Sequence, residues 1–207
     1  MDVEAVTIDA YGTLVTLDDP VGRLRAALSE HGVERGDDEV ARAFAAEVEH
    51  YVPRSHEGRD EATLAILRRD CAAVFLEAAG ADVDADAFVA DFMRSLRFRP
   101  LDGAIGACRR LAGAGLRLAV VSNWDVGLHE HLRELGLGRL VDAVVTSAEA
   151  GAPKPEPDVW RLALARLGVE RAVHVGDSDA DAEGARAAGL RFEPAPLAEA
   201  ADRILAA

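Results

Sequence analysis

The chain has 207 residues and a formal net charge of −14, and 50% of its residues are hydrophobic. That length and apolar content suffice for an α/β core with an insertion and argue against a disordered chain. The acidic balance argues against a nucleic-acid surface, which would need clustered basic residues, and no stretch approaches the ~20 apolar residues of a membrane span.

The amino-terminal run VEAVTID, Val3 to Asp9, predicts a short β-strand that stops at Gly12 and Thr13. The start MDVEAVTIDAYG has neither a basic segment nor a small-residue cleavage pattern, so it does not resemble a signal peptide. The two cysteines, Cys71 and Cys108, lie far apart within apolar helical patterns and are interpreted as small core residues. These features predict a cytoplasmic protein.

Residues 18–98 carry four amphipathic helical patterns and no strand signal. The first helix is expected to begin at Asp18-Asp19-Pro20, because proline is favoured in a first helical turn. The third helix is expected to end at Gly80, and Phe88 and Phe92 mark the apolar face of the fourth. We therefore predict an all-helical subdomain over residues 17–98.

From Pro100 onward, helical patterns alternate with short apolar runs. The predicted strands are 116–122, 142–146, 171–175 and 190–194, and the predicted helices lie around 103–114, 125–135, 157–167 and 180–188. This alternation is typical of a parallel sheet with right-handed crossovers. The first strand has no partner in the helical region, so it is expected to join this sheet. The predicted fold is α/β: a Rossmann-like parallel sheet core of residues 1–16 and 99–207, with an inserted all-helical cap of residues 17–98.

Polar residues stand where the apolar strands stop. The first strand ends at Asp9, the second at Ser122-Asn123, and the fourth at Gly176-Asp177, while Lys154 lies in the loop after the third strand. Isolated polar residues at strand ends are usually turn residues. In a parallel sheet, however, these ends share one edge, which is where open α/β folds bind ligands. We therefore expect the four positions to converge.

The chemistry of these residues is mutually compatible. Asp9 is a carboxylate nucleophile, and Ser122 with the backbone amides near Asn123 can hold anionic oxygens. Lys154 is the only lysine in the chain, since the other basic residues are arginines, and it supplies the compact charge that phosphoryl transfer needs. Asp177, with Asp181 behind it, offers hard oxygen ligands for Mg²⁺.

Four segments in order resemble the motifs of the haloacid dehalogenase-like hydrolase superfamily. They are DAYGTLV from Asp9, VVSNWD from Val120, KPEPDVW from Lys154, and GDSDAD from Gly176 followed by EGARAAG. The resemblance implies a covalent intermediate on Asp9, and it implies that the helical insertion is a cap that closes over the site and excludes water.

The resemblance also implies an assignment of the site. The expected catalytic residues are Asp9, Tyr11, Ser122 and Lys154; the expected phosphate-binding residues are Gly12, Ser122, Asn123 and Lys154; and the expected metal ligands are Asp9, Asp177, Asp181 and the Tyr11 carbonyl. The implied cofactor is Mg²⁺ and the implied partner is a small-molecule substrate, without nucleic acid or membrane. A monomer or a homodimer is expected.

Tyr11 is the main departure from a phosphatase of this superfamily. Such phosphatases usually carry a second aspartate there as general acid, whereas the DAYGTL form resembles the 2-haloacid dehalogenases, which need no acid. Those dehalogenases generally lack the Gly-Asp metal arm, which is present here as Gly176-Asp177. We predict a Mg²⁺-dependent phosphatase of a small phosphorylated metabolite. The alternatives are a metal-independent (S)-2-haloacid dehalogenase and a ligand-binding pseudoenzyme.

Overall fold

A computed structural model describes residues 3–207, so residues 1 and 2, which belong to the predicted core and to the signal-peptide interpretation, lie outside the described part. The strands are β1 (Ala5–Ile8), β2 (Val15–Leu17), β3 (Phe98–Pro100), β4 (Arg117–Ser122), β5 (Ala143–Thr146), β6 (Ala172–Gly176) and β7 (Arg191–Pro194). The helices are α1 (Pro20–Glu30), α2 (Asp37–Tyr51), α3 (Glu61–Ala78), α4 (Ala85–Ser95), α5 (Ala104–Gly113), α6 (Leu128–Glu134), α7 (Ser147–Ala150), α8 (Asp158–Leu167), α9 (Asp179–Ala187) and α10 (Leu197–Leu205). Short 3₁₀ turns cover Val52–Glu57 and Leu137–Arg139.

Five strands form a parallel sheet in the order β5-β4-β1-β6-β7. All four residues of β1 are buried, as expected of a central parallel strand covered on both faces. The predicted α/β class with a Rossmann-like parallel sheet is confirmed. Because β4 and β6 flank β1, the residues that follow these three strands are neighbours at one sheet edge.

Helices bury the sheet. The helix α8 packs on β4 and β5, α9 packs on β6 and β7, and α5 packs on β4 and α10. One core cluster contains the fully buried Val121 and Val145 of the sheet together with Val159 and Trp160 of α8. The strands that follow the helical region start and end within two residues of the predicted positions, whereas the first strand is shorter than the predicted 3–9.

The chain divides into two compact units at Thr16/Leu17 and at Phe98/Arg99. We call the unit that contains the five-stranded sheet the sheet unit, and residues 17–98 the helical unit. Strands β2 and β3, which the sequence pattern does not predict, pair as a two-stranded ribbon at the two boundaries. Among residues 3–207, no helix combines the length and apolar character needed to cross a bilayer.

The helical unit has its own core. Three fully buried phenylalanines, Phe75, Phe88 and Phe92, pack with ring centroids 5.5–6.4 Å apart. Asp60 caps α3 by accepting a hydrogen bond from the Thr63 backbone N–H at 2.9 Å, which satisfies an otherwise unpaired donor of the first turn. This unit therefore has its own buried core and a capped α3 helix.

Glu47 is a buried acid inside the helical unit, and its burial predicts a stability that depends on pH. Glu47 is 4% exposed. Burial raises the pKa of its carboxyl from 4.5 to about 7, although a hydrogen bond with Cys71 acts in the opposite direction. Between these values the folded state holds a proton that the unfolded state has lost. The free energy of unfolding is therefore expected to fall as pH rises from 4.5 to 7, by up to about 3 kcal/mol from this group.

Glu47→Gln should remove that contribution and raise the free energy of unfolding at pH 8 relative to the wild type. Urea unfolding at several pH values between 5 and 8 measures it. The matched control is Glu49→Gln, an exposed neighbour on the same helix, which should leave the profile unchanged. Identical pH profiles for the wild type and both variants would contradict the prediction.

Candidate active site

A tight turn after β1 presents Asp9 at the sheet edge. Asp9 is 6% exposed, and its backbone N–H donates to the Val175 carbonyl at 2.9 Å, which extends the pairing of β1 with β6. The backbone N–H groups of Leu14 and Val15 both donate to the Ala10 carbonyl, at 2.9 and 2.8 Å. The chain therefore turns back immediately after Asp9 and leaves its carboxylate at the carboxyl edge of the sheet, where open α/β folds bind ligands.

Lys154 lies between two carboxylates. Its Nζ donates to Asp9 Oδ1 at 2.5 Å and to Asp181 Oδ1 at 2.6 Å, and the residue is 7% exposed. Burial alone lowers the pKa of the Lys154 ammonium, but the two carboxylates outweigh burial and raise it. Burial raises the pKa of the Asp9 carboxyl, against the opposing charge of Lys154. The ammonium is thus held charged beside the Asp9 oxygen.

Ser122 and Asn123 follow β4 and contact different parts of this arrangement. The Ser122 hydroxyl donates to Asp9 Oδ1 at 3.1 Å. The Asn123 side-chain amide instead pairs with the backbone of Lys154: Nδ2 donates to the carbonyl oxygen at 3.2 Å, and Oδ1 accepts from the N–H at 2.6 Å. The Asn123 side chain therefore fixes the backbone of Lys154. The predicted phosphate-binding role, which concerns the backbone amides near Asn123, stays a prediction.

Asp181 has both carboxylate oxygens occupied by protein donors. Oδ1 accepts from Lys154 and lies 3.0 Å from His174 Nε2, while Oδ2 accepts from the Ser178 hydroxyl at 2.6 Å and from its backbone N–H at 3.2 Å. Burial raises the pKa of this carboxyl, but the hydrogen bond from His174 and the charge of Lys154 outweigh burial and lower it. Asp181 is a fixed anion that orients Lys154.

Asp177 is the exposed member of the acidic cluster. One carboxylate oxygen from each of Asp9, Asp177 and Asp181 lies within 4.8 Å of the others. The Thr13 hydroxyl lies 3.5 Å from Asp177 Oδ1, and burial and then the charge of Asp181 raise the pKa of Asp177. Carboxylate oxygens at this spacing fit a hard divalent cation such as Mg²⁺. Asp9 and Asp177 are the better-placed ligands, because protein donors already occupy both oxygens of Asp181.

Glycine is required at position 12. Gly12 has a φ of 84°, and a Cβ there would lie 2.1 Å from Asp177 Oδ2. A side chain would therefore strain the turn and displace Asp177. Tyr11, beside it, is 49% exposed and forms an isolated bridge with Val15, and none of the hydrogen bonds described above includes its side chain. The structure therefore unites Asp9, Ser122, Lys154, Asp177 and Asp181, with Tyr11 at the rim.

Residues 3–189 match the profile of the haloacid dehalogenase-like hydrolase family. The chain belongs to this family. A mouse (Mus musculus) relative, haloacid dehalogenase-like hydrolase domain-containing protein 3, is 34% identical over 205 residues, which cover 92% of this chain and 80% of the relative. The predicted family resemblance is confirmed.

Two other members have more specific names. A phosphoglycolate phosphatase of Cereibacter sphaeroides is 40% identical over 91 residues, which cover 44% of this chain and 42% of that protein. An L-2-haloacid dehalogenase of Xanthobacter autotrophicus, with chloropropionic acid covalently bound, superposes with a TM-score of 0.69 and 26% identity over 92% of this chain and 76% of that one. The family membership therefore includes relatives of both predicted activities.

In this haloacid dehalogenase-like hydrolase, sequence reasoning missed a buried layer behind Lys154. The fully buried Trp160 on α8 has its ring centroid 5.8 Å from Lys154 Nζ and 5.1 Å from the His174 ring, which it meets edge-on. A Cβ on Gly184 of α9 would lie 2.3 Å from the indole, so glycine makes room for it. The position of Trp160, six residues after Lys154 in KPEPDVW, was the feature of the sequence that could have indicated this contact.

Proposed function

We propose that this protein is a Mg²⁺-dependent phosphatase that acts on a small phosphorylated metabolite through an aspartyl-phosphate intermediate on Asp9. The observation that carries the proposal is the acidic cluster, in which three carboxylate oxygens lie within 4.8 Å of one another. Such a cluster suits a divalent cation, and displacement of a halide by a carboxylate does not need one. The 40% identity with a phosphoglycolate phosphatase over 91 residues also supports a phosphatase activity.

In the proposed reaction, an Asp9 carboxylate oxygen attacks the phosphorus atom of the monoester, and the bond to the alcohol oxygen breaks. The product is an acyl phosphate on Asp9, and the alkoxide takes a proton from solvent water and leaves as the alcohol. Lys154 and Ser122, which both contact Asp9 Oδ1, orient the attacking carboxylate. Water then cleaves the acyl phosphate, which releases inorganic phosphate and restores the Asp9 carboxylate. Asp9 and Asp177 would hold Mg²⁺, which when bound would neutralise the charge of the phosphoryl oxygens.

We further propose that the helical unit, residues 17–98, is the cap of this enzyme. Its independent core and its insertion between the first two sheet strands of the chain support that role. A cap of this kind supplies contacts to the part of the substrate that is not transferred, and it limits the access of water. The identity of the metabolite would then depend on residues of the helical unit.

A metal-independent 2-haloacid dehalogenase is the second candidate. Two observations favour it: a tyrosine where phosphatases carry the acid, and the 26% identity with a haloacid dehalogenase over 92% of this chain. In that reaction the Asp9 carboxylate would displace halide from carbon, and the leaving halide needs no proton. The acidic cluster remains unexplained by this alternative.

One assay separates the two candidates. The purified protein is offered p-nitrophenyl phosphate and 2-chloropropionate, each with Mg²⁺ and with EDTA. We expect nitrophenolate release that requires Mg²⁺. Chloride release that persists in EDTA, without any phosphatase activity, would replace the phosphatase assignment with the dehalogenase. Absence of turnover with every phosphate ester and halo acid of a broader panel would favour the ligand-binding alternative.

Tyr11→Asp tests the missing acid. The variant should increase hydrolysis of unactivated alkyl phosphates relative to p-nitrophenyl phosphate, because an alkoxide needs a proton in the transition state whereas nitrophenolate leaves largely unaided. The expected change in the ratio of the two kcat/KM values is about 10²-fold, the lower end for general acid catalysis. A second carboxylate near Asp9 also alters the pKa of both groups, so the ratio is the informative quantity.

Tyr11→Asn is the matched control, because it removes the same ring and adds a side chain of the same shape without an acid. It should leave the ratio unchanged. If both variants lower both rates equally, the tyrosine has a role of its own and the dehalogenase alternative gains support.

A further inference from the structure

A buried chain of hydrogen bonds runs from the middle of β1 to the nucleophile. Thr7 and His174 are direct partners in the register of β1 and β6, and both are 0% exposed. The Thr7 hydroxyl lies 3.0 Å from His174 Nδ1, and His174 Nε2 lies 3.0 Å from Asp181 Oδ1. Lys154 Nζ donates to Asp181 Oδ1 at 2.6 Å and to Asp9 Oδ1 at 2.5 Å, which completes the chain of hydrogen bonds.

We propose that Thr7 is a positioning residue: its hydroxyl selects the His174 tautomer that donates to Asp181, and this fixes Lys154 beside the nucleophile. The inference rests on the proposed function, since it assigns Thr7 and His174 to the same reaction. Neither residue touches the Asp9 oxygens, so each acts through its neighbour. From its place between Val173 and Val175 in an apolar run, His174 would be expected only as a core residue.

The proton positions follow from the neighbours of the imidazole. Asp181 Oδ1 is an acceptor, already bound by the Lys154 ammonium at 2.6 Å, so Nε2 of His174 must carry the hydrogen. On the other side, Nδ1 meets two oxygens of Thr7, the hydroxyl at 3.0 Å and the backbone carbonyl at 3.1 Å. A neutral ring protonated at Nε2 needs a donor at Nδ1, and only the hydroxyl can provide it. Burial favours the neutral ring.

The tautomer of His174 determines how many hydrogen bonds the Asp181 carboxylate accepts. With Nε2–H pointing at it, the carboxylate accepts from His174, Lys154 and two groups of Ser178. If the ring adopted the other tautomer, Nδ1–H would donate to the Thr7 carbonyl and the Nε2 lone pair would face the Asp181 oxygen. Asp181 would lose a donor and gain a repulsive contact, and the position of Lys154 would be less tightly defined.

Thr7→Val tests this chain of hydrogen bonds, because valine has nearly the same shape as threonine and lacks the hydroxyl that donates to His174 Nδ1. The readout is ¹⁵N NMR of the histidine side chains in the metal-free protein, with the His174 signals identified by their loss in His174→Gln. In the wild type we expect a hydrogen on Nε2 and none on Nδ1. In Thr7→Val we expect Nδ1 to gain a hydrogen, and kcat for p-nitrophenyl phosphate to fall about threefold to tenfold with KM within twofold of the wild type.

Two further variants separate positioning from loss of fold. Thr7→Ser restores a hydroxyl and should recover both the tautomer and most of kcat. Thr146→Val removes another fully buried threonine hydroxyl, one that accepts from the Glu149 backbone N–H at the start of α7. It should lower the melting temperature without changing the His174 tautomer.

A wild-type His174 protonated at Nδ1 and not at Nε2 would overturn the inference, as would a Thr7→Val variant that keeps the tautomer and the wild-type kcat. The NMR result decides the link between Thr7 and His174 whether or not the protein hydrolyses phosphate esters. Failure of the proposed function, with no phosphatase activity in the wild type, is therefore distinguishable from failure of this inference.

Discussion

Asp9→Asn is expected to lower kcat by at least about 10⁴-fold, to the detection limit, while the protein stays folded. The amide has the size and shape of the carboxylate but lacks the anionic oxygen that attacks the substrate. Its oxygen can still accept hydrogen bonds from Lys154 and Ser122, so the packing around residue 9 should survive. The measurement is single-turnover and steady-state hydrolysis of p-nitrophenyl phosphate with Mg²⁺, alongside thermal unfolding.

The chain offers a matched control in Asp125. It is 6% exposed, as Asp9 is, and it lies in the loop after β4, where its Oδ1 accepts from the Gly127 backbone N–H at 2.7 Å. Asp125→Asn therefore removes a buried carboxylate outside the acidic cluster, and its kcat should stay within about fivefold of the wild type. If Asp9→Asn kept the wild-type rate with the same substrate, Asp9 could not be the nucleophile.

Lys154→Met should produce the second large effect, on stability as well as on rate. Without the ammonium, Asp9 and Asp181 are two buried carboxylates that share no cation, and breaking a buried ion pair in this way costs about 3–5 kcal/mol. The rate should also fall by about 10³-fold, because the positive charge beside the transferred group is lost. Urea unfolding measures the first effect, and hydrolysis of p-nitrophenyl phosphate measures the second.

Lys154→Arg distinguishes charge from geometry. The planar guanidinium keeps the positive charge but does not fit the place of a single nitrogen between two carboxylate oxygens. We expect this variant to recover part of the lost stability and little of the lost rate. A Lys154→Arg enzyme with the wild-type rate would show that a general positive charge suffices there.

The sheet was predictable because buried parallel strands are short apolar runs with turn residues at their ends. The same pattern placed Asp9, Ser122 and Asp177 at three strand ends, and the topology brings those ends together. The ribbon of β2 and β3 was not predictable. Each of the two strands has only three residues, and these are partly exposed. The two strands are also about 80 residues apart in the chain.

The finer roles of the site residues depend on three-dimensional contacts that no local pattern carries. Asn123 follows a strand, and no local pattern shows that its side-chain amide pairs with the backbone of Lys154. Asp181 has the spacing of a metal ligand, and four protein donors surround it. Thr7 sits in a fully buried strand, where the sequence pattern predicts burial but not the hydrogen-bond partner of a polar side chain.

The location of Trp160 in the sheet unit has a consequence for fluorescence measurements. The chain contains two tryptophans, and both Trp124 and Trp160 belong to the sheet unit. Indole fluorescence therefore arises wholly from that unit, while the ellipticity of α1–α4 contributes to the far-ultraviolet circular dichroism without an indole signal of its own. Fluorescence thus follows melting of the sheet unit alone, and a circular-dichroism transition without a fluorescence change would identify melting of the helical unit.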